Sequence, residues 1–282
     1  MAGISTKDLK ARIRSMESTR QITKAMEMVA ASKLRGAQDR VLSSRPYFET
    51  LYKTMADLAD SRPDSPSPYS RVGNGGKICA VVIAGDRGLA GGYNSGVLKA
   101  VWEKLDGKDA VVLPIGKKSV EFFRMKKTPM MTEEYAEAAK LSVGDCFTAA
   151  RLLAKGFLDG TYDEILLGYT NFVSVLTQTP ATLQLLPLPQ TEGTGGKTRS
   201  VLYEPSSDAV YNAIVPEYLG GLIYGALCES VAAEQAARRT AMDAATKNAD
   251  EMIADLSLQY NRARQGAITQ EITEIVAGAE AK

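Results

Sequence analysis

Two glycine-rich segments carry the residue types that hold nucleotide phosphates. The first, Gly85–Asn94, follows the apolar run 77–84 and precedes a helical pattern, which is the order of a dinucleotide-binding unit. Its glycines are spaced three, three and one residues apart, whereas the dinucleotide fingerprint requires G-x-G-x-x-G. The second, Gly193–Thr198, ends like a P-loop, but Thr191 stands where that motif needs its first glycine. Both motifs fail, so structural turns are the favoured interpretation.

The rest of the composition offers little for catalysis or metal binding. The chain of 282 residues has no histidine, so it lacks the commonest general base and metal ligand at neutral pH. Its cysteines, Cys79, Cys146 and Cys228, are too far apart for a C-x-x-C motif, and their odd, sparse number indicates a reducing compartment. We therefore expect no catalytic residue, cofactor or metal, although carboxylate and lysine chemistry stays open.

Neither an export signal nor a membrane-spanning segment is expected. The longest apolar runs, Ile78–Ala84 and Tyr218–Leu227, are far shorter than the roughly 18 residues that cross a bilayer. The first residues lack the apolar segment of a signal peptide. We expect a protein without direct membrane insertion.

The two ends of the chain predict long helices, because all eleven prolines lie between residues 46 and 216. Apolar residues recur at helical spacing in both ends, from Leu9 to Leu58 and from Val215 to Val276. The first helix is expected to continue past Pro46, with Ser43 or Ser44 capping the continuing segment. At 1.5 Å per residue the helices would be roughly 80 and 100 Å long. Such lengths predict an antiparallel coiled coil, with a bend or close packing at Gly220 and Gly221.

The middle of the chain reads as a small α/β domain. Strands are predicted at 77–84, 110–115, 164–169, 172–177 and 182–188, and helices at 95–105, 118–125 and 145–158. The predicted fold class is α/β, with a small Rossmann-like domain inserted between two long N- and C-terminal helices that form an antiparallel coiled coil. The expected bounds are 1–60 for the first helix, 76–195 for the domain and 207–282 for the last helix.

Charge is unevenly distributed along this frame. Residues 1–45 contain ten Lys or Arg and four acids, a net charge of +6, while the whole chain has a net charge of +1. The total gives no indication of nucleic-acid binding. The basic segment is either a solvated helix face or a surface that faces acidic partner elements, and a helix too long for one domain to cover favours the second interpretation.

Three segments resemble the gamma subunit of rotary F-type ATP synthases, bacterial type. They are RQITKAMEMVAASKLR at 20–35, DRGLAGGYN at 86–94 and ARQGAITQEITEIVAGA at 263–279. In the second segment Ala90 stands where many relatives have cysteine. The resemblance covers essentially the whole chain, because the segments lie at both ends and in the centre.

The resemblance implies a rotor shaft that is not itself catalytic. The paired helices would turn inside a hexamer of alpha and beta subunits and couple transmembrane proton flow to ATP synthesis or hydrolysis at sites on beta. The α/β domain would form a foot beside the epsilon subunit and the ring of membrane c subunits. The expected location is the cytoplasmic side of a bacterial plasma membrane, where the chain would be peripheral.

The resemblance also assigns contact residues. Ile22, Lys24, Met26 and Val29 match the part of the first helix that passes an acidic loop of beta. The polar residues expected to hydrogen-bond to alpha and beta are Arg264, Gln265, Thr269 and Glu271. An apolar bearing tip, turning in a hydrophobic sleeve, would consist of Ile268, Ile272, Ile275 and Val276.

In the foot, Tyr203 and Glu204 match a stretch near epsilon and the membrane ring. Their alternative role is a strand end before a proline turn, and the alternative for Arg264 is a solvated helix charge. For the whole chain, the two other hypotheses are a nucleotide-dependent enzyme built on the middle domain and a purely structural coiled-coil scaffold.

Overall fold

The computed structural model describes residues 5–60, 67–71, 76–188 and 204–280. Its helices and strands, in chain order, are α1 (Thr6–Asp60), β1 (Ile78–Ile83), α2 (Tyr93–Leu105), β2 (Ala110–Ile115), α3 (Lys117–Met125), α4 (Val143–Leu158), β3 (Glu164–Phe172), β4 (Gln178–Leu186) and α5 (Ser207–Glu280). Short 3₁₀ turns lie at Pro68–Ser70 and Ala138–Lys140. The chain divides into a smaller unit, Met1–Ala31 with Arg238–Lys282, and a larger unit, Ser32–Ala237.

The larger unit contains a four-stranded sheet in the order β2-β1-β3-β4. β1 pairs in parallel with both β2 and β3, and β3 forms an antiparallel hairpin with β4. Every residue of β1 and β2 is buried, which explains their continuous apolar sequences. The expected long end helices flanking a small mixed α/β domain are confirmed.

The strands predicted after residue 163 were partly wrong. Three were expected, but β3 continues to Phe172 and β4 begins at Gln178 and contains Pro180. Ser174 and Thr177 exchange backbone hydrogen bonds of 3.0 and 3.3 Å in the turn between them. The strands predicted at 172–177 and 182–188 left Pro180 between them, yet a strand paired on one side only has room for a residue that lacks an N–H.

The core of the larger unit lies on both faces of the sheet. On one face α4 and the first part of α5 pack on alternate residues of the strands, including Val81, Leu113 and Ile165. On the other face α2 and α3 cover Ala80, Val82 and their neighbours. The helices therefore hold the sheet between two apolar layers, as in other α/β domains.

Gly220 lets α5 approach α4 closely. A Cβ at this position would lie 2.6 Å from Cδ1 of Phe147, so a larger residue would push the helices apart. The expected close packing at this glycine is confirmed.

Helix α1 passes through Pro46 without ending. The expectation that Ser43 or Ser44 caps a new segment was wrong, because both hydroxyls donate backward within the helix. Ser43 Oγ donates to the Arg40 carbonyl and Ser44 Oγ to the Val41 carbonyl, each at 3.0 Å. Such bonds satisfy the serine inside a helix.

Within the larger unit, α1 and α5 meet through small side chains. Leu34, Ala37 and Val41 of α1 form one buried cluster with residues of α5, namely Cys228, Ala232 and Ala236. Within the described ranges, no helix has the length and apolar character needed to cross a bilayer.

Candidate partner-binding surfaces

Polar pairs fix how α1 and α5 face each other in the smaller unit. The Oγ1 atoms of Thr23 and Thr246 are 2.8 Å apart in the buried interface, and Thr246 Oγ1 also lies 2.8 Å from the Met242 carbonyl, to which it can donate. One turn away, Arg20 Nη1 donates to Asp250 Oδ1 at 3.3 Å. The residue numbers in these two pairs add up to 269 and 270, so a residue further along α1 faces a residue correspondingly earlier in α5. The two helices are therefore antiparallel in this unit, and their register is defined.

The N-terminal surface, defined by Ile22, Lys24, Met26 and Val29, lies outside that interface. Thr23 and Ala30 are buried, whereas Ile22 is 57% exposed and Val29 is 56% exposed. Met26 is half-buried. Two branched apolar side chains that are more than half exposed on a helix are consistent with a surface that a partner covers.

Lys24 does not face solvent as an isolated charge. Its Nζ lies 2.8 Å from Oε2 of Glu27, one turn along α1. The hydrogen bond from this ion pair, followed by the charge of Glu27, raises the pKa of Lys24 above its ordinary value. The basic charge expected here is therefore partly compensated within the chain.

Met28 is a further exposed apolar residue of α1, and it was not predicted from the sequence to belong to a contact surface. It lies off the buried apolar stripe and is 59% exposed between the matched residues Glu27 and Val29. A large apolar residue outside the helical stripe was the available signal, because such a residue is not needed for packing within the chain.

The end of α5 protrudes beyond its contacts within the smaller unit. Ala263 is half-buried, and every residue from Arg264 to Ala279 is exposed. The register places Arg264 opposite the start of α1 at Thr6. α1 as described thus does not reach the residues that follow Arg264.

The expected bearing-tip residues form one exposed stripe on this end, which we call the C-terminal stripe. Ile268, Ile272, Ile275 and Val276 follow helical spacing and are between 48% and 65% exposed. They do not form a core with α1.

The polar residues of the same segment are also exposed. Thr269 Oγ1 donates to the Gln265 carbonyl at 2.9 Å, so this hydroxyl is used within the helix. Arg264 and Glu271 form no ion pair with any other residue that the structure describes. Their charged groups remain accessible to a partner.

Of the two residues expected to form contacts in the foot, the structure describes one. Glu204 is exposed at a bend just before α5, while Tyr203 lies outside the described residues. Their contact with other subunits stays a prediction.

The loop Gly85–Asn94 is tied to the chain itself. The Gly85 N–H donates to Asn94 Oδ1 at 2.8 Å, and Asn94 Nδ2 donates to the Arg87 carbonyl at 3.1 Å. Asp86 Oδ1 accepts from the backbone N–H groups of Ala138 at 2.9 Å and Lys117 at 3.3 Å. These bonds support the interpretation of the loop as a structural turn. The second glycine segment, 193–198, lies outside the described residues.

The thiols lie in the core. All three cysteines are free and buried, and desolvation raises the pKa of Cys79 and that of Cys146 to about 12. In the part of the chain that the structure describes, no group of three or more acidic or cysteine side chains could hold a metal ion.

Solved structures with a similar fold come from two mitochondrial ATP synthases. A chain of the rotor of the Euglena gracilis enzyme aligns with a TM-score of 0.65 and 19% identity, covering 93% of this chain and 98% of that one. A central stalk chain of the Tetrahymena thermophila enzyme aligns with a TM-score of 0.59 and 24% identity, covering 79% and 99%. At these identities the match establishes the fold.

Sequence comparison establishes the family. The ATP synthase family model matches residues 5–281. The ATP synthase gamma chain of Ruminococcus albus is 45% identical, covering 95% of this chain and 96% of the relative. A gamma chain of Acetobacterium woodii described as sodium ion specific is 37% identical, covering 98% of each. The chain therefore belongs to the ATP synthase gamma-chain family.

Proposed function

We propose that this chain is the central rotor shaft of an F-type ATP synthase. It has no catalytic role of its own: it turns inside a hexamer of alpha and beta subunits and couples transmembrane ion flow to ATP synthesis or hydrolysis on beta. The observation that carries the proposal is the uncovered end of α5, where the C-terminal stripe stands beyond the reach of α1 as described. An apolar stripe of this kind requires a cover from outside the chain.

The C-terminal stripe is the bearing of this shaft. Ile268, Ile272, Ile275 and Val276 would turn in a hydrophobic sleeve formed by the hexamer. A smooth apolar contact suits rotation because the hydrophobic effect is non-directional, so no single angle is strongly preferred.

The polar residues beside the stripe would make the angle-dependent contacts. Arg264 has a free planar guanidinium that can bind a carboxylate of alpha or beta with two hydrogen bonds. Gln265, Thr269 and Glu271 would add weaker hydrogen bonds to the same partners. Directional bonds of this kind form and break as the shaft turns, which links the rotor angle to the state of each catalytic site.

The N-terminal surface would pass an acidic loop of beta. Its contact is mainly apolar, through Ile22, Met26 and Val29, because Lys24 already shares its charge with Glu27. We add Met28 to this surface on the strength of its exposure.

The foot would join the rotor to the epsilon subunit and the c ring, with Tyr203 and Glu204 among the contacts. In this arrangement the chain would lie at the cytoplasmic face of a bacterial plasma membrane, held there by other subunits. The relatives come from bacteria, which supports that location.

Reconstitution tests the proposal. Purified alpha and beta subunits are assayed for ATP hydrolysis with and without this chain, and the full complex is assayed for ATP-driven ion uptake in vesicles. Uptake is followed with a pH-sensitive dye and with radioactive sodium, because one relative is described as sodium specific. We expect strong hydrolysis only with this chain and uptake of one of the two ions. Equal hydrolysis with and without the chain would contradict the proposal.

A further inference from the structure

The turn between β3 and β4, residues 173–177, displays apolar side chains to water, and we call it the hairpin tip. Leu176 is 85% exposed, more than any other large apolar residue that the structure describes, and Val173 is 62% exposed. Hairpin turns favour Gly, Asn, Asp, Pro and Ser, yet the tip contains only Ser174 of these types. Its apolar residues therefore call for a reason other than turn formation.

Polar side chains hold the tip in its shape. Ser174 Oγ accepts from the N–H groups of Leu176 at 3.3 Å and Thr177 at 3.1 Å. Gln178 Nε2 donates to the carbonyls of Ser174 at 3.0 Å and Val175 at 2.7 Å. The exposed apolar side chains take no part in these bonds. Because the turn is already ordered, little conformational entropy would be lost when a partner binds it.

The core does not need the exposed residues of the tip either. Phe172 and Val175 pack against the buried cluster that α1 and α5 form in the larger unit. Val173 and Leu176, the residues that follow each of them, stay in water. The tip is thus anchored on its inner side and presents an apolar outer side.

The whole hairpin is uncharged. Residues 165–191 contain no Asp, Glu, Lys or Arg, although 24% of the chain is charged. β4 is an edge strand of the sheet, and such edges usually carry charged side chains that keep other proteins away. A surface that covers the tip must also lack unpaired charges, because burying a charge without a partner is costly.

The position of the tip follows from the direction of α5. Just past the end of β4, the Leu188 N–H donates to the Tyr69 carbonyl at 2.8 Å, and Ser67 Oγ donates to Asn212 Oδ1 at 3.2 Å. Because β4 is antiparallel to β3, the end of β4 lies where β3 begins. The first turns of α5, which follow Glu204, therefore lie at this edge of the sheet.

α5 then runs in the same direction as β3. Near the end of β3, the Thr170 N–H donates to Ser230 Oγ at 3.2 Å in the buried interface. The hairpin tip thus lies at the opposite edge of the sheet from Glu204. In the proposed rotor Glu204 faces the membrane ring, so the tip faces the other large partner, the hexamer.

We propose that the hairpin tip docks on an uncharged, apolar surface at the rim of the alpha/beta hexamer. The inference rests on the proposed rotor function and adds a contact that the larger unit makes with the hexamer. Apolar contact is non-directional, so the tip can leave one subunit and engage the next as the shaft turns.

Photo-cross-linking in the complete complex identifies the occupant. Leu176→Cys is labelled with a benzophenone maleimide, while the native thiols are buried, and is assembled with all other subunits. After illumination, mass spectrometry identifies the cross-linked subunit, which we expect to be alpha or beta.

Met125→Cys with the same label is the matched control. Met125 is 75% exposed at the end of α3, and the chain returns from there to pair Met130 with Val112. Because α3 starts just after β2 ends, Met125 lies at the edge where β2 begins, away from the tip. This label should cross-link to neither alpha nor beta.

A second measurement gives the strength of the contact. We expect Leu176→Ser to weaken association with alpha and beta about tenfold, measured by titration of ATP hydrolysis, because the burial of one leucine side chain is lost. Met125→Ser should associate like the parental chain. Urea unfolding of both variants should match that of the parental chain, since both residues are exposed.

Cross-links from position 176 to epsilon, to a c subunit or to a second copy of this chain would overturn the proposed contact, as would no cross-link at all. Equal association of Leu176→Ser and the parental chain would also overturn it. The proposed function is judged separately, by whether the parental chain restores ATP hydrolysis to alpha and beta.

Discussion

Glu27 determines how much of the Lys24 charge a partner can use. Its side chain is only 15% exposed and holds Nζ of Lys24 at 2.8 Å. A carboxylate on a partner must therefore share Lys24 with Glu27, and exposed ion pairs of this kind add little free energy. The free energy of contact at the N-terminal surface consequently comes mostly from apolar side chains.

Met26→Lys tests whether this surface passes an acidic loop of a partner. The half-buried side chain lies next to the surface expected to pass an acidic loop, so a new cation there would form a charged contact of about 1.5–3 kcal/mol. Such a contact would hold the rotor at one angle and reduce ATP-driven ion uptake about tenfold, with a smaller effect on assembly. Uptake per ATP hydrolysed is the measurement. Met125→Lys on α3 adds the same charge elsewhere and should behave as wild type, whereas normal uptake in Met26→Lys would refute the prediction.

The cysteines should be unreactive in the folded chain. Burial raises the pKa of Cys79 and of Cys146 to about 12, and it also raises the pKa of Cys228. Because the thiolate is the reactive form, alkylation by iodoacetamide at pH 8 should be more than about a thousandfold slower than for a free thiol. Mass spectrometry before and after addition of urea measures the difference. Rapid labelling of the native chain would contradict the buried placement.

At the residue scale, exposed apolar residues could be predicted from the sequence, whereas ion pairs between side chains could not. The apolar C-terminal stripe could be predicted because its members recur at helical spacing past the reach of the first helix. The ion pair of Lys24 with Glu27 was not predicted, although the two residues are one helical turn apart. Whether two such charges meet depends on the rotamers of both side chains, which spacing alone does not determine.

Helix α4 begins with a capping box that sets its stability. Ser142 Oγ accepts from the Asp145 N–H at 3.3 Å, and Asp145 Oδ2 accepts from the Ser142 N–H at 2.8 Å. The backbone hydrogen bond from Ser142, followed by that from its hydroxyl, lowers the pKa of Asp145 below its ordinary value. The stabilising effect of this carboxylate is thus present at neutral pH.

Ser142→Ala should lower the free energy of unfolding by about 1 kcal/mol at pH 7. Because the pKa of Asp145 is lowered in the folded state, its contribution persists above the unfolded pKa and disappears as the pH falls through the folded value. The cost of Ser142→Ala should therefore shrink at strongly acidic pH. Urea unfolding followed by circular dichroism at both pH values checks this. Ser43→Ala, in an exposed helix interior, is the control, and an equal cost for both variants would count against the cap.

At the element scale, the strands with continuous apolar sequences were predicted well, but the effect of a proline within an element was not. β2 has its predicted bounds, and β1 differs by one residue at each end, because buried parallel strands need apolar residues on both faces. Pro46 was expected to begin a newly capped segment of the continuing helix and Pro180 to lie between two strands, yet both lie inside an element. The outcome at a proline depends on which hydrogen bonds the tertiary structure requires there, and the sequence does not contain that information locally.

At the scale of the whole molecule, folding and assembly should be separable at the C-terminal stripe. Ile272→Ser with Ile275→Ser alters side chains that are 56% and 65% exposed. Surface changes of this kind usually shift the free energy of unfolding by less than about 0.5 kcal/mol. We expect normal urea unfolding of the isolated chain but weaker association with alpha and beta, measured by titration of ATP hydrolysis. The matched pair Ile223→Ser with Leu219→Ser, in the core, should instead destabilise the chain itself.

Loss of stability in the stripe variant, with association unchanged, would mean that the stripe packs within the chain.

The fold class of the molecule followed from proline placement and apolar spacing. The register of the helix pair did not, because it depends on the Thr23–Thr246 contact between residues 223 positions apart.

The exposed end of α5 also has a consequence for the time before assembly. Burying a large apolar side chain fully yields about 1.5–3 kcal/mol, and the four stripe residues retain roughly half their surface in water. That free energy is not used in folding the chain and is released only when a sleeve closes around the helix. Newly made chains would therefore present an exposed apolar helix end to one another. Synthesis of this chain in excess of the alpha and beta subunits should favour its aggregation.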